Sequence, residues 1–385
     1  MSKYYLKHKN EDLISFDMDN KFGLEISNIQ ILSNNKDIFP IYLLKEINEV
    51  NIIKFINSRI IPKNRAFVEN ILNSAGLSIN DKKGIIDISK GLSLIDPYWI
   101  VQDNTLKFED FNLYDNDFSE ILSLIAFTGY NSKIKGLISS PEFSTNGMLP
   151  KAWRRIDNKV ILYKGSTENF HAANTGYEPY SEYYASLVAE KLGYNHVSYD
   201  LDKWKNMIVS TCPLFTSKDI SFVQIADVVP TGSIKAIYEY IDNLGFAEDL
   251  SNLLLFDAVI GNLDRHYGNF GLLRDNNTGK FISLAPIFDN GESLLSKELP
   301  NVFNDINEYN KLLISAKYEY SYYDIQNDLL IRKYCTKKHI KDLRKLLNFE
   351  LTLHSKYNLS DERIKTINRF IQDRAKHYID ILENK

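Results

Sequence analysis

GNLDRHYGNFGLL (residues 261–273), followed by SLAPIFDNG (283–291), is the stretch on which the reading of this chain turns. Asp264, His266 and Asn269 form a D-x-H-x-x-N pattern directly after DLSNLLLFDAVIG (249–261), a run apolar nearly all round. Such a run predicts a helix buried at a domain centre. FGLLRD and KFISL then flank NNTG (276–279), which reads as two short strands around a turn. A hairpin sends the chain out and back, so it can return Asp289 to the neighbourhood of Asn269 and Asp264. That grouping suits phosphoryl transfer. One carboxylate, Asp264, orients an attacking hydroxyl and takes its proton, while Asn269 and Asp289 hold magnesium against phosphate oxygens. Magnesium prefers few protein oxygens, with water and phosphate completing its octahedron, so one amide and one carboxylate suffice. Asp257, inside the apolar run, is expected to be a buried structural partner of the loop. Arg265 reads either as a solvated surface residue or as a phosphate contact.

Upstream, KVILYKG (159–165) is a β-rich run ending in Lys164, and EPYSEYYASLVAEKLG (178–193) reads as a helix closed by Gly193. Tyr184, Leu187, Val188, Lys191 and Leu192 share one stripe of it. A small-residue loop, SSPEFSTNGMLPK (139–151), precedes both, and strands are expected at Val197–Leu201 and Asn206–Thr211. After about 215 the chain is mainly helical. Its last helix starts at Ser360 as N-cap, with Ile364, Ile367, Ile371, Ala375, Tyr378 and Leu382 on one face. Towards the N-terminus, residues 13–32 alternate as two strands joined around Gly23. Residues 63–76 read as a helix with Phe67, Ile71, Leu72 and Ala75 on a face, and Tyr98, Trp99, Phe108, Phe111 and Tyr114 read as core. The pattern is α+β throughout. It divides into an N-terminal α+β unit (1–115), a small α/β lobe (116–214) and a helical lobe (215–385).

Composition bounds the function. The chain has 385 residues, 44% hydrophobic and 25% charged, with a net charge of -4. That balance gives no general attraction to polyanions, so direct nucleic-acid binding is not expected. Two distant cysteines, Cys212 and Cys335, support neither a zinc site nor a disulfide framework and read as core. MSKYYLKHKNEDL carries charges where a signal peptide needs an apolar stretch, and no apolar run is long enough to span a bilayer, so a cytoplasmic protein is expected.

Taken together, these segments resemble HipA-like kinases. GNLDRHYGNFGLL and SLAPIFDNG look like that family's catalytic and metal-binding loops, and DRHxxN is also similar to the phosphoinositide-kinase form of the loop. EPYSEYYASLVAEKLG resembles the helix whose glutamate pairs with a strand lysine, places held here by Glu182 and Lys164. FSTNGMLPKAW resembles the phosphate-covering loop of the clostridial-type branch, and the spacing of Arg59, Pro62 and Arg65 and the segment LSLIDPYWI (92–100) look like that branch too. The resemblance implies a bilobal protein-kinase-like fold, with a small α/β lobe, a helical large lobe and the additional N-terminal unit. It implies ATP with magnesium, and places Lys164, Glu182, Gly147, Thr145 and His266 on the nucleotide side, although histidine in such loops commonly packs against the loop backbone. It implies a serine or threonine of a protein as acceptor. Some members are toxins of toxin–antitoxin pairs, which brings in an antitoxin partner and a translation factor or aminoacyl-tRNA synthetase as substrate. In some members phosphorylation of the nucleotide loop switches the enzyme off, which makes Ser140, Ser144 and Thr145 candidate autophosphorylation sites. Two departures stand out: Asp289-Asn290-Gly291 lacks the middle Phe of conventional kinases, and the nucleotide loop has the single glycine Gly147. A phosphoinositide or small-molecule kinase, and a nucleotide-binding module without activity, are the alternative readings.

Overall fold

The computed structural model describes residues 1–134, 136, 139–167, 174–230 and 232–385. They fold as an α+β protein gathered into two compact units. The first comprises residues 1–164, 213–223 and 273–282; the second comprises 165–212, 224–272 and 283–385.

The first unit is built on strands β1 (Ser2–His8), β2 (Glu11–Asp19), β3 (Glu25–Ile31) and β4 (Tyr98–Val101), in the order β3-β2-β1-β4. Side chains of a strand alternate between faces, and both faces of this sheet are covered. Tyr4, Leu6, Tyr98 and Ile100 enter one core with the helices α1 (Glu49–Asn57), α2 (Val68–Ser74), α3 (Lys82–Ser89) and α4 (Glu120–Thr128). Trp99 and Val101 enter a second with Phe108 and Leu113, where the Trp99 ring meets Phe108 and Phe111 at 5.9 Å each. The aromatic cluster is therefore core. Helix α2 is shorter than the periodicity predicts, because Phe67 lies at φ 58° and Arg65 N–H closes a turn on Pro62 O. Its first segment, 1–164, ends in the hairpin of β5 (Lys151–Ile156) and β6 (Lys159–Lys164).

The second unit begins with α5 (Glu178–Leu192), capped by Gly193 at φ 85°. The expected stripe is buried only in part, with Tyr184, Val188 and Leu192 covered while Lys191 is exposed. Ser181, Glu182 and Ser186 are buried as well, because this helix is packed on nearly every side and its polar residues bind backbone: Ser181 Oγ donates to Ser293 O at 2.9 Å. Strands β7 (Asp200–Trp204) and β8 (Met207–Pro213) pair antiparallel. Val197 does not join them, since its N–H donates to Ile287 O instead. The second unit continues with α6 (Ile234–Asn243) and α7 (Ala247–Ile260). Strands β9 (Ile220–Gln224), β10 (Gly271–Asp275) and β11 (Phe281–Leu284), which lie partly in the first unit's segments 213–223 and 273–282, form a sheet in the order β11-β10-β9. Helix α7 is buried all round, as its sequence requires, against α8 (Asn327–Tyr334) and the terminal α9 (Asp361–Glu383). Ser360 caps α9 by accepting from Arg363 N–H, and the predicted apolar face is buried. Cys212 and Cys335 are both buried, and burial pushes the Cys335 thiol up to about 12. No helix among the described residues is long and apolar enough to cross a membrane.

Candidate active site

Helix α7 ends on Gly261, which takes the left-handed φ of 62° that a β-carbon disfavours. A β-carbon there would lie 2.8 Å from Phe370 Cζ and 2.9 Å from the Tyr318 ring, so the turn has no room for one. The chain then folds back on itself. Asn262 N–H reaches Asp257 O at 2.9 Å, and its side-chain oxygen accepts from Asp264 N–H at 3.1 Å. His266 N–H donates to Asp264 O at 2.8 Å, and His266 Nδ1 accepts from Gly268 N–H at 3.0 Å. His266, expected on the nucleotide side, thus shapes the loop with one ring nitrogen. Asn269 Nδ2 donates to Asp264 O at 3.0 Å. With its nitrogen committed to the loop, the amide's Oδ1 is the atom left for a cation.

The hairpin β10–β11 brings the chain back, as its turn residues predict. Ala285 N–H donates to Gly271 O at 2.8 Å, and Ile287 N–H donates to Asn195 O at 2.9 Å. Asp289 follows at a left-handed φ of 57°, a conformation Asp tolerates better than most residues. Its N–H donates to the Tyr199 hydroxyl at 3.2 Å, while Asn290 N–H donates to Glu182 Oε2 at 2.7 Å. Glu182, expected to pair with a lysine, is therefore an acceptor for the metal loop. Gly291 packs on α5, where a β-carbon would be 3.3 Å from Glu178 Cβ. Leu263 N–H donates to Glu292 O at 3.1 Å, which joins the two loops directly.

Arg265 joins them through its side chain. It is 1% exposed, so neither the surface reading nor the phosphate reading holds. Its Nε and Nη2 grip Asp257 Oδ2 and Oδ1, each at 2.9 Å. The remaining donors reach Asn269 O at 3.0 Å, Asn290 Oδ1 at 2.6 Å and Phe288 O. One guanidinium thus holds the Asn269 carbonyl and, on either side of Asp289, the Phe288 carbonyl and the Asn290 side chain. A planar fork with fixed donors is suited to this, and a lysine is not. Asn290, Tyr199 and Glu292 are the residues that sequence reasoning missed; only adjacency to Asp289 could have signalled the first and third.

Burial raises the Asp264 carboxyl, Glu292's charge raises it further, His266 opposes, and Asp289 adds a smaller push upward. Carboxylates gathered in this way favour a cation. Among the described residues no cluster of three or more His, Cys, Asp or Glu could hold a metal by itself. Asn269 and Asp289 nevertheless fit magnesium, which takes most of its ligands from phosphate and water.

The other candidates lie in the first unit. Lys164 ends β6 directly opposite Lys151, and both are buried. Gly147 has φ 96°, and a β-carbon there would be 2.1 Å from Lys151 Nζ. The loop around it is closely held rather than an ordinary flexible one. Arg65 forms an ion pair with the buried Glu142 carboxylate and donates to Glu142 O at 2.8 Å, Thr145 O at 3.2 Å and Lys151 O at 3.0 Å. Ser140 Oγ accepts from Glu142 N–H at 3.3 Å, and Ser144 Oγ donates to Leu92 O at 3.0 Å. Thr145 Oγ1 donates to Pro141 O at 2.7 Å and accepts from Trp153 Nε1 at 3.1 Å. Arg59 forks onto Asp96 at 2.9 and 2.6 Å.

No family model matches the chain. Over 131 residues it is 30% identical to the serine/threonine-protein kinase CtkA of Helicobacter pylori, a match covering 30% of this chain and 40% of CtkA, so it spans less than half of that relative. The structure of HipA from Shewanella oneidensis, solved with HipB and operator DNA, aligns over 99% of this chain and 98% of that one, with 11% identity and a TM-score of 0.55. The crystal structure of CtkA aligns over 62% of this chain and 92% of that one, with 20% identity and a TM-score of 0.47. The chain is thus homologous to CtkA over a segment and has a HipA-like α+β fold.

Proposed function

We propose that this protein is an ATP- and magnesium-dependent serine/threonine protein kinase of the HipA-like type. The observation that carries the reading is the Arg265 clamp, which fixes Asn269 O, Phe288 O and Asn290 Oδ1 around one buried guanidinium and so couples the Asp264–Asn269 loop to Asp289. In this reading Asp264 orients the acceptor hydroxyl and takes its proton as the oxygen attacks the γ-phosphorus. The bond from that phosphorus to the β–γ bridging oxygen breaks, and ADP leaves. The raised Asp264 carboxyl suits a base that must accept a proton near neutral pH. Asn269 Oδ1 and the Asp289 carboxylate would hold magnesium, which when bound neutralises charge on the phosphates. Lys164 and Thr145 would meet the phosphates, with Gly147 allowing close approach of the backbone. The homology to a serine/threonine kinase supports a protein hydroxyl over a lipid as acceptor.

The finer parts of the proposal follow the same resemblance: a toxin role, an antitoxin partner, a substrate in the translation machinery, and self-inhibition through Ser140, Ser144 or Thr145. Each of those hydroxyls is engaged by unit-one backbone or side chains, so its phosphorylation would require the loop to leave this position. The deciding experiment is transfer of labelled γ-phosphate from magnesium ATP, offered casein, phosphoinositide vesicles and the protein itself. Label on serine or threonine supports the proposal; label on lipid alone, or none anywhere, rejects it.

A further inference from the structure

The stretch before β7 runs parallel to the residues that lead into Asp289, with His196 opposite Ile287. Two rungs between them are regular: Ile287 N–H donates to Asn195 O and Val197 N–H donates to Ile287 O, each at 2.9 Å. In a parallel ladder every second residue of a strand bonds its partner, so the next donor in register is Asp289 N–H, and its acceptor would be Val197 O. Asp289 N–H goes elsewhere. The residue turns to a left-handed φ of 57°, and its N–H donates to the Tyr199 hydroxyl at 3.2 Å. A side-chain oxygen two residues past Val197 has taken the place of a backbone carbonyl.

A backbone N–H shielded from water must find an acceptor, and leaving it without one costs free energy. Had Asp289 stayed in the ladder, its backbone would be extended and its side chain would follow the alternation of a strand. The Tyr199 hydroxyl lets the chain turn out of the ladder at Asp289 with the N–H still satisfied. Next along the chain, Asn290 N–H is held by Glu182 Oε2 at 2.7 Å. Two successive amides of the loop are therefore fixed, one by Tyr199 and one by α5. Tyr199 is itself anchored to that helix, since its own N–H donates to Ser186 Oγ at 3.4 Å. Arg265 fixes the carbonyl before Asp289 and the side chain after it. The Tyr199 hydroxyl is what bonds the N–H of Asp289 itself.

We propose that Tyr199 is a positioning residue for magnesium, holding Asp289 in its left-handed turn through this one hydrogen bond. The inference rests on the kinase reading, in which Asp289 is a metal ligand. Calorimetry on the full chain tests it, by comparing the affinity for ATP in excess magnesium with that in a chelator. The ratio of the two is the magnesium-dependent gain. Tyr199→Phe keeps the ring and removes only the oxygen. It is expected to shrink the gain about tenfold, the lower end of what losing an orienting group costs a metal site. ATP with a chelator should bind variant and parent alike. In an Asp289→Ala background the same change should take nothing further from the gain, which a general loss of packing would not reproduce. Amide exchange in the parent needs no variant: Asp289 N–H is expected to be protected, as a bonded donor is. A parent that binds no ATP with magnesium would sink the kinase reading and this inference with it. Where the parent does bind it, three results would overturn the role of Tyr199 alone: a gain undiminished in Tyr199→Phe, a loss that persists in the Asp289→Ala background, or an Asp289 amide that exchanges as fast as an open loop.

Discussion

Arg265 decides more of the candidate site than either metal ligand does, because five of its hydrogen bonds hold the two loops in one frame. Removing it leaves the Asp257 carboxylate partly buried without its countercharge. Arg265→Met is therefore expected to cost about 3–5 kcal/mol of folding stability, measured by urea unfolding. A loss under about 1 kcal/mol would show that the clamp is not what holds the loops. Asp264 behaves in the opposite way. Its pKa is raised in the folded protein by burial and by Glu292, so the native state binds the proton more tightly than the unfolded chain does. That contribution to stability is full below the ordinary carboxylate pKa and is lost as pH rises through the raised one. At neutral pH the charge opposes folding. Asp264→Asn should accordingly melt no lower than the parent while phosphoryl transfer falls by about two to four orders of magnitude. The acid limb of the parent's pH–rate profile should lie above the usual carboxylate range, since the base must be ionised to act. At this scale the sequence showed which residue types stand together, but not that Arg265 is buried, because burial of a charge depends on partners brought from residues 257, 288 and 290.

Among the elements, those with a long uninterrupted pattern were readable. Helix α7 is apolar all round and central, and α9 begins at its Ser360 cap with the expected face inward. Helix α2 is shorter than its periodicity because tertiary contacts around Arg65 and Phe67 override the local preference, and α5 buries polar residues that no hydropathy stripe can identify. The ends of helices give a direct test of how much packing adds to backbone strain. Gly261 and Gly193 both cap helices with left-handed φ, at 62° and 85°. A β-carbon on Gly261 would press into Phe370 and Tyr318, whereas on Gly193 the nearest atom is Lys345 Nζ at 3.9 Å. Gly193→Ala should show the strain alone, about 1–2 kcal/mol. Gly261→Ala should show that strain plus overpacking, typically another ~1–3 kcal/mol. Equal losses in denaturant unfolding of the two variants would mean that the Phe370–Tyr318 wall gives way freely.

The molecule as a whole is divided in a way that no local pattern carries, since the first unit recruits residues 213–223 and 273–282 from far along the chain. Hydrophobic periodicity reports neighbours within one element, and non-contiguous membership depends on contacts it does not encode. The same division shapes the test of nucleotide binding. Unfolding of a two-unit chain need not be a single transition, so each transition must be followed separately. A ligand that binds only the folded state raises stability by about 2.7 kcal/mol at a hundred times its Kd. If the proposed function holds, magnesium ATP raises the melting temperature of the parent, and ATP with a chelator raises it less. Asp289→Ala should shrink the magnesium-dependent part, because it deletes a charged ligand while leaving the Arg265 clamp on Phe288 O and Asn290 intact. Lys164→Met, in the other unit, should shrink the shift whether or not magnesium is present, because a lysine meets phosphate as a point charge without needing the metal. Asp264→Asn should keep the full shift, since it takes a base and not a ligand. Phosphate transfer then separates an active kinase from a nucleotide-binding module without activity, which would show the same shifts with no phosphate transferred. A parent protein whose melting is indifferent to millimolar magnesium ATP would rule out both.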